Sequence, residues 1–294
     1  GWMRELQSGR GFMRTGETAG EGEEKELLRV AAHTRAVRVG KRVALTLPLC
    51  AIPSLLLLTF LRVGPLCHDN TSFLPPLAGP SINVILMRHA QSENNALWYR
   101  KLFFARRDPM ITNKGWGQVA NAKQGLMQQN VSAHLVISSQ LMRAMETAAL
   151  AFGERVHVAP HISETGYGCF LSPGSCALSR GEQESALTRA GFDVDTQFDW
   201  SLVGGPNGSN QNMLPPDWTR FVRWLWAQPP LLQLLSKHGA DTTVAIVSHG
   251  NFLWHEVLPC GYGHPGNTQS FKGRLAVPER PELAEPHIRD VSMI

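Results

Sequence analysis

Residues 82–89 read Ile-Asn-Val-Ile-Leu-Met-Arg-His, a short apolar run that ends abruptly at a basic pair. Apolar runs of this length that contain β-branched residues are typical of strands buried on both faces of a parallel sheet. Two further runs have the same form: 135–137 ends at Ser138-Ser139, and 242–247 ends at Ser248-His249. The sequence therefore predicts three parallel strands whose carboxyl ends carry polar or basic side chains.

Segments of helical periodicity separate these strands. Apolar residues recur at helical spacing over 112–129, and 140–152 is a second predicted helix, which Ser138-Ser139 can cap. A third helical segment covers 217–237, with an interruption at Pro229-Pro230. Strands and helices that alternate in this order predict an α/β fold, a three-layer sandwich with a mostly parallel central sheet flanked by helices.

The segment from Pro160 to about Pro216 is dense in Gly, Ser, Asn and Pro. Such composition is typical of loops, and only a short helix at 182–190 is predicted within it. Long irregular segments inside a compact domain are usually functional. We expect 169–216 to form a lid that selects the substrate.

The chain divides by composition into five parts. The first is rich in charge and Gly, which predicts disorder, and the second is an uncharged run long enough to cross a membrane. The predicted parts are a disordered N-terminal tail (1–42), a transmembrane anchor or leader (43–61), a linker (62–80), a catalytic domain (81–275) and a C-terminal tail (276–294).

The uncharged run 43–61 also predicts a location. Several Lys and Arg residues precede it and only Arg62 closely follows it, so the positive-inside rule places the N-terminus in the cytosol. The chain is then a single-pass membrane protein with a lumenal catalytic domain. If the run is instead a cleaved leader, or an error of gene prediction, the domain lies in an organelle or the cytoplasm.

Charge and cysteine content exclude some classes of protein. The formal net charge is only +4, so nucleic-acid binding is not predicted, and a small anionic substrate fits equally well. The 5 cysteines include no Cys-x-x-Cys pair, which argues against zinc-knuckle and thioredoxin-like sites. Cys169 and Cys176 can form a disulfide if the domain is exported, and two free thiols are the alternative.

Four basic side chains are predicted to converge at one edge of the sheet. Arg88 and His89 follow the first strand, Arg143 lies in the first turn after the second, and His249 follows the third. Carboxyl ends of parallel strands share an edge, where ligands of α/β folds bind. Guanidinium groups match phosphate oxygens, and a neutral imidazole is a nucleophile that requires no metal. Each residue alone has a structural explanation, but together they predict an anion site.

Four motifs carry a resemblance to a known family. In order, they are similar to signature segments of the histidine phosphatase superfamily, which has the phosphoglycerate mutase-like fold. The resemblance covers about Ile82 to Leu258. The motifs are Leu86–Asn95, with Arg-His followed by Ser and Asn; Asp108–Gly115, one position shorter than the family segment; Ser138–Ala148, with Arg143 and Thr147; and Val247–Gly250.

The resemblance implies roles for the matching residues. His89 would be the nucleophile that carries the phosphoryl group as a phosphohistidine. The groups that would hold the phosphoryl oxygens are Arg88, Asn95, Arg143 and His249.

Glu164 occupies the position where the family usually keeps its proton donor, and a donor there needs a raised pKa. Glu182 and Glu184 are rival candidates in the same region of the chain. Ala90 replaces the usual glycine, which is tolerable if its φ is negative. Thr165 stands where phosphoglycerate mutases have an arginine that grips the substrate carboxylate, so the sequence favours hydrolysis.

The resulting prediction is a metal-independent phosphatase that hydrolyses a phosphate monoester and needs no cofactor. The expected substrate is a small phosphorylated molecule or a phosphoprotein. The alternatives are a phosphoglycerate mutase-like phosphotransferase and a catalytically silent module that recognises phosphate. The sequence makes no prediction about oligomeric state.

Overall fold

The computed structural model of the protein describes residues 81–96, 106–165, 173–203, 214–259, 261–276 and 286–294. The chain divides into two units, Gly1–Arg62 and Val63–Ile294, and all of these residues belong to the second. The predictions for 1–42, 43–61 and 62–80 concern residues outside the described ranges. Within those ranges, no helix combines the length and the apolar character needed to span a membrane.

A seven-stranded sheet forms the centre of the fold. Its strands are β1 (Ser81–Arg88), β2 (Leu135–Ser139), β3 (Val156–Ala159), β4 (Phe198–Asp199), β5 (Thr243–Ser248), β6 (Ser270–Ala276) and β7 (Ile288–Met293). Their order is β4-β3-β2-β5-β1-β6-β7. The first five run parallel, while β6 pairs antiparallel with β1 and β7 antiparallel with β6. The predicted mostly parallel sheet is confirmed.

The three strands predicted from apolar runs are the three central ones, β2, β5 and β1. Helices cover this part of the sheet on both faces, so nearly every side chain is buried and the sequence is continuously apolar. The outer strands are harder to predict from the sequence. Strand β4 has two residues, and β6 alternates between buried and exposed positions.

Helices form the two outer layers. The helices are α1 (Glu93–Ala96), α2 (Asn113–Gln128), α3 (Met142–Phe152), α4 (Arg180–Arg189), α5 (Val194–Gln197), α6 (Trp218–Trp226), α7 (Pro229–His238) and α8 (Gly250–Phe252). Helices α2 and α3 contribute to one core, with Val119 and Ala148 beside Ile85. Helices α6 and α7 contribute Phe221 and Leu231 to the core on the other face. The three-layer α/β sandwich is therefore confirmed.

Strand β7 differs from the prediction that 276–294 is a tail. Residues Ile288–Met293 pair with β6, and Ile288 is 4% exposed. The folded domain therefore extends beyond the predicted boundary at residue 275. Because β7 is an edge strand with two charged residues in six, it lacks the apolar pattern that predicts buried strands.

The region from Pro160 to Pro216 contains more regular structure than predicted. The expected helix at 182–190 is present as α4, which begins with a capping box between Ser179 and Glu182. Helix α5 and strand β4 follow it, and both are too short to produce a periodic pattern. Cys176 is disulfide-bonded, and Cys169 lies outside the described residues.

Candidate active site

The predicted site residues lie at the carboxyl edge of the central strands. Arg88 ends β1 and His89 follows it, His249 follows β5, and Arg143 is the second residue of α3, which comes after β2. His89, Arg143 and His249 are 1%, 5% and 0% exposed. Burial of three such polar side chains requires that they satisfy one another or neighbouring groups.

Arg143 connects the two histidines. Its Nε donates to Nε2 of His89 at 3.2 Å, and its Nη2 contacts Nδ1 of His249 at 3.3 Å. The two imidazole centroids are 5.0 Å apart. The structure thus brings together three side chains that are separated by 54 and 106 positions along the chain.

The contacts of His89 determine its tautomer. Nδ1 lies 2.6 Å from the carbonyl oxygen of Ala90, and a carbonyl can only accept, so Nδ1 carries the hydrogen. Nε2 then holds the lone pair and accepts from Arg143. The backbone of His89 donates to Ser248 O at 2.9 Å and accepts from Asn267 Nδ2 at 3.0 Å. The ring is therefore held with Nε2 directed towards the guanidinium.

His249 is a neutral partner in the cluster. Burial lowers its pKa well below the usual value, and electrostatic interactions with Arg143, His89 and Arg88 act in the same direction. Because arginine only donates, Nδ1 of His249 accepts from it, and Nε2 donates to Ser139 Oγ at 2.8 Å.

The side chain of Arg88 is partly exposed, unlike that of Arg143, but its Nε is buried. Its Nη1 donates to Pro265 O at 2.6 Å, and its Nε has no hydrogen-bond partner among the described residues. Burial lowers the pKa of Arg88, and Glu164 raises it. A buried guanidinium N–H without an acceptor fits a site that binds an anion.

Gly250 allows the side chains of His264 and Arg88 to pack closely beside His249. A Cβ there would lie 2.5 Å from His264 Cε1 and 3.0 Å from Arg88 Nε, so a larger residue would displace the groups beside His249. The other small residue in the motifs, Ala90, is absent from the positive-φ residues of the described chain, which satisfies the condition for replacing glycine.

Glu164 belongs to the cluster. Its Oε2 is 3.9 Å from His249 Nδ1, its side chain is 19% exposed, and its charge raises the pKa of both Arg88 and Arg143. The rival candidates lie elsewhere: Glu182 caps α4 through Ser179, and Glu184 pairs with Arg180 on an exposed face of the same helix. The geometry therefore favours Glu164 as the carboxyl of the site.

Asn95 is held differently. It lies in α1, where its Oδ1 accepts from Ser92 Oγ at 2.6 Å and its backbone N donates to Ser92 O at 2.9 Å. These contacts join Asn95 to Ser92 and not to His89 or the arginines. Its role in holding phosphoryl oxygens stays a prediction.

Several contacts in the site were not predicted. Arg143 Nη1 donates to Gly174 O at 2.6 Å, and Thr147 Oγ1 links Ala90 N to Arg143 O at 3.0 and 2.6 Å. The expectation that Ser138-Ser139 caps α3 is wrong. Both serines lie in β2, and Met142 N donates instead to Asp108 Oδ1 at 2.8 Å. No local pattern reveals a cap that comes from 34 positions away.

Three side chains of this cluster are also of the types that bind metal ions. Ligand atoms of His89, Glu164 and His249 lie within 4.8 Å of one another, the spacing of a three-ligand metal site. However, both ring nitrogens that face the interior already contact the guanidinium of Arg143. A cation between them would be repelled by that charge, so the arrangement fits a tetrahedral anion better than a metal ion.

Comparison with known proteins agrees with this geometry. The family model of the histidine phosphatase superfamily (branch 1) matches residues 84–183, which include β1, β2 and α3. The chain is therefore similar to the histidine phosphatase superfamily over this region, and the resemblance of its motifs is confirmed. The relatives that match it in sequence include phosphoglycerate mutases.

Two relatives are 2,3-bisphosphoglycerate-dependent phosphoglycerate mutases. The one from Methylobacterium radiotolerans is 37% identical over 119 residues, 38% of this chain and 55% of the relative. The one from Beijerinckia indica is 35% identical over 71 residues, 24% of this chain and 33% of the relative. The chain thus matches between a third and about half of the length of these relatives.

A solved structure is also similar. The ecdysone phosphate phosphatase of Bombix mori, in complex with tungstate, has 16% identity and a TM-score of 0.43. The match covers 66% of this chain and 89% of that chain.

Proposed function

We propose that this protein hydrolyses phosphate monoesters through a phosphohistidine at Nε2 of His89, without a metal ion or other cofactor. The observation that carries the proposal is the position of Arg143, within 3.3 Å of ring nitrogens of both His89 and His249. A guanidinium between two neutral imidazoles can hold phosphoryl oxygens while one imidazole keeps a lone pair for attack.

In the first step, Nε2 of His89 attacks phosphorus and the bond from phosphorus to the ester oxygen breaks. Arg143 exchanges its contact with the imidazole for one with a phosphoryl oxygen, where its charge stabilises the transition state. The protonated carboxyl of Glu164 gives its proton to the departing oxygen, so the product leaves as a neutral alcohol.

In the second step, the Glu164 carboxylate takes a proton from water, and the water oxygen attacks phosphorus. The bond from phosphorus to His89 Nε2 breaks, and inorganic phosphate is released. The imidazole and the protonated carboxyl are thereby restored. Arg88, Arg143 and His249 are the groups that spread the charge of the phosphoryl oxygens in both steps.

The proposed substrate is a small phosphorylated molecule or a phosphoprotein. Thr165 supports hydrolysis, because it follows Glu164 where mutases have a carboxylate-binding arginine. The second candidate is phosphotransfer between hydroxyls of one substrate, which the identity of the mutase relatives favours. A phosphatase releases phosphate into solution, whereas a mutase returns it to a second hydroxyl.

The test is an assay of the full chain with an aryl phosphate in the presence of a chelator. We expect release of inorganic phosphate and an acid-labile phosphoryl label on the protein. The variant His89→Ala should lose both, with turnover falling by about 10⁴-fold or more. His134→Gln is the matched control, because it changes an exposed imidazole beside Thr243, at the amino end of β5.

Four results would contradict the proposal. Turnover that requires an added metal ion excludes the mechanism, and a label that survives in His89→Ala moves the nucleophile elsewhere. Phosphate binding without turnover by the wild type would identify the silent recognition module. Transfer to a second hydroxyl of phosphoglycerate, with little free phosphate, would establish the mutase.

A further inference from the structure

Asp108 is a buried acidic residue that the proposed reaction does not use. It is 0% exposed and has a φ of 44°, a left-handed conformation that non-glycine residues rarely adopt. Such strain persists only where surrounding contacts hold it, and it is frequent at functional sites. The contacts of this carboxylate therefore indicate what it does.

The two carboxylate oxygens of Asp108 face different parts of the chain. Oδ1 accepts from Met142 N at 2.8 Å, at the start of α3. Oδ2 accepts from Leu178 N at 3.0 Å and from Gln183 Nε2 at 2.6 Å. One side chain thus joins the helix that carries Arg143 to the segment 174–179, named here the lid segment, and to α4.

The lid segment also contacts the phosphate-binding guanidinium itself. Gly174 O accepts from Nη1 of Arg143 at 2.6 Å, and Ala177 O accepts from Nη2 of Arg107, the residue before Asp108, at 2.6 Å. The position of Gly174 beside Arg143 therefore depends on contacts three and four residues further along, at Ala177 and Leu178.

Only a carboxylate can accept hydrogen bonds from all of the donors around Asp108. Among the described residues, the three groups that hydrogen-bond to the Asp108 side chain are N–H donors, of which one contacts Oδ1 and two contact Oδ2. An asparagine of the same size offers one oxygen and one NH2 group, so it leaves a donor facing a donor on either the helix side or the lid side. Burial raises the pKa of Asp108, while Gln183, Leu178, Met142 and Arg143 act to lower it.

We propose that Asp108 is a positioning residue that ties the lid segment to the start of α3 and so sets the space beside Arg143 in which the substrate binds. The kinetic consequence rests on the proposed phosphatase function. The connection between lid and helix does not, so it can be tested without turnover.

The first test is amide hydrogen exchange on the full chain, resolved for single residues. In Asp108→Asn, the amide of Met142 or of Leu178 should exchange at least about tenfold faster than in the wild type, because one of them loses its buried acceptor. The matched control is Glu146→Gln, which changes another buried carboxyl of α3 that accepts from Ile111 N at 2.8 Å. After correction for the change in global stability that this variant causes at the pH of the experiment, it should leave both amides within about twofold. Unchanged exchange of both amides in Asp108→Asn overturns the proposal.

The second test is steady-state kinetics with an aryl phosphate. In Asp108→Asn we expect KM to rise about tenfold while kcat changes less than about threefold, because other contacts hold His89 and His249. Arg107→Ala removes an exposed contact to the same segment without threatening the fold, and its KM should rise about threefold. KM values that match those of Glu146→Gln overturn the proposal. If the wild type has no phosphatase activity, the exchange result still decides whether the connection exists.

Discussion

Glu146 makes the stability of this protein depend on pH. Its side chain is 1% exposed in α3, and burial, together with Asp108 and Glu93, raises its pKa from 4.5 to about 8 against the lowering effect of Ile111 N. The carboxyl is therefore protonated in the folded protein at neutral pH, whereas in the unfolded chain it is ionised.

The sign of the effect follows from proton binding. Between pH 4.5 and about 8 the folded state binds one proton more than the unfolded state, so this group lowers the free energy of unfolding as pH rises. The interval between the two pKa values, at about 1.4 kcal/mol per pH unit, corresponds to at most about 5 kcal/mol. Its contribution is fully favourable below pH 4.5 and is lost by about pH 8.

The variant Glu146→Gln tests this, because glutamine resembles the protonated acid and keeps an oxygen for Ile111 N. We expect equal stability near pH 4.5 and an advantage for the variant that grows towards pH 8, reaching a few kcal/mol. Urea unfolding at a series of pH values measures the difference. Glu184→Gln, at the exposed pair with Arg180, is the control and should show little change. A difference for Glu146→Gln that is constant with pH would refute the reasoning.

Three other predictions concern the site and the N-terminal region. Gly250→Ala should lower kcat/KM by about 10- to 100-fold, because its Cβ would displace the side chains of His264 and Arg88. An unchanged kcat/KM would show that these two side chains move aside freely. Glu164→Gln should slow alkyl phosphates by about 100-fold and good aryl leaving groups much less, and equal slowing of both would place the proton donor elsewhere. The anchor predicted at 43–61 should keep the full chain in membranes during carbonate extraction, and release into the supernatant would exclude it.

The convergence of Arg88, His89 and His249 could be predicted because these residues are adjacent to strong local signals. Arg88, His89 and His249 follow fully buried strands, whose continuous apolar runs are easy to identify. Parallel strands then place their carboxyl ends at one edge, so convergence follows from topology alone. The position of Glu164 is harder to predict, because no regular element of the described residues lies close enough before it to fix its direction.

The remaining features depend on contacts between distant segments. Met142 receives its capping acceptor from Asp108, and the nearby serines only resemble a cap. Strand β7 pairs with the edge that β6 offers, and its own sequence lacks the continuous apolar run that predicts a buried strand. Gly174 and Asn267 contact Arg143 and His89 through a backbone carbonyl and a side-chain amide, which leaves no pattern along the chain.

The three contacts of Arg143 also have a consequence for turnover. Its Nε, Nη1 and Nη2 are hydrogen-bonded to His89, Gly174 and His249, so the roughly 2 kcal/mol of rotamer entropy in an arginine side chain is lost during folding. Phosphate can recruit those N–H groups only by displacing partners that also accept hydrogen bonds. In the proposed phosphatase reaction, each exchange of such a partner for a phosphoryl oxygen therefore gains little, which would favour release of inorganic phosphate.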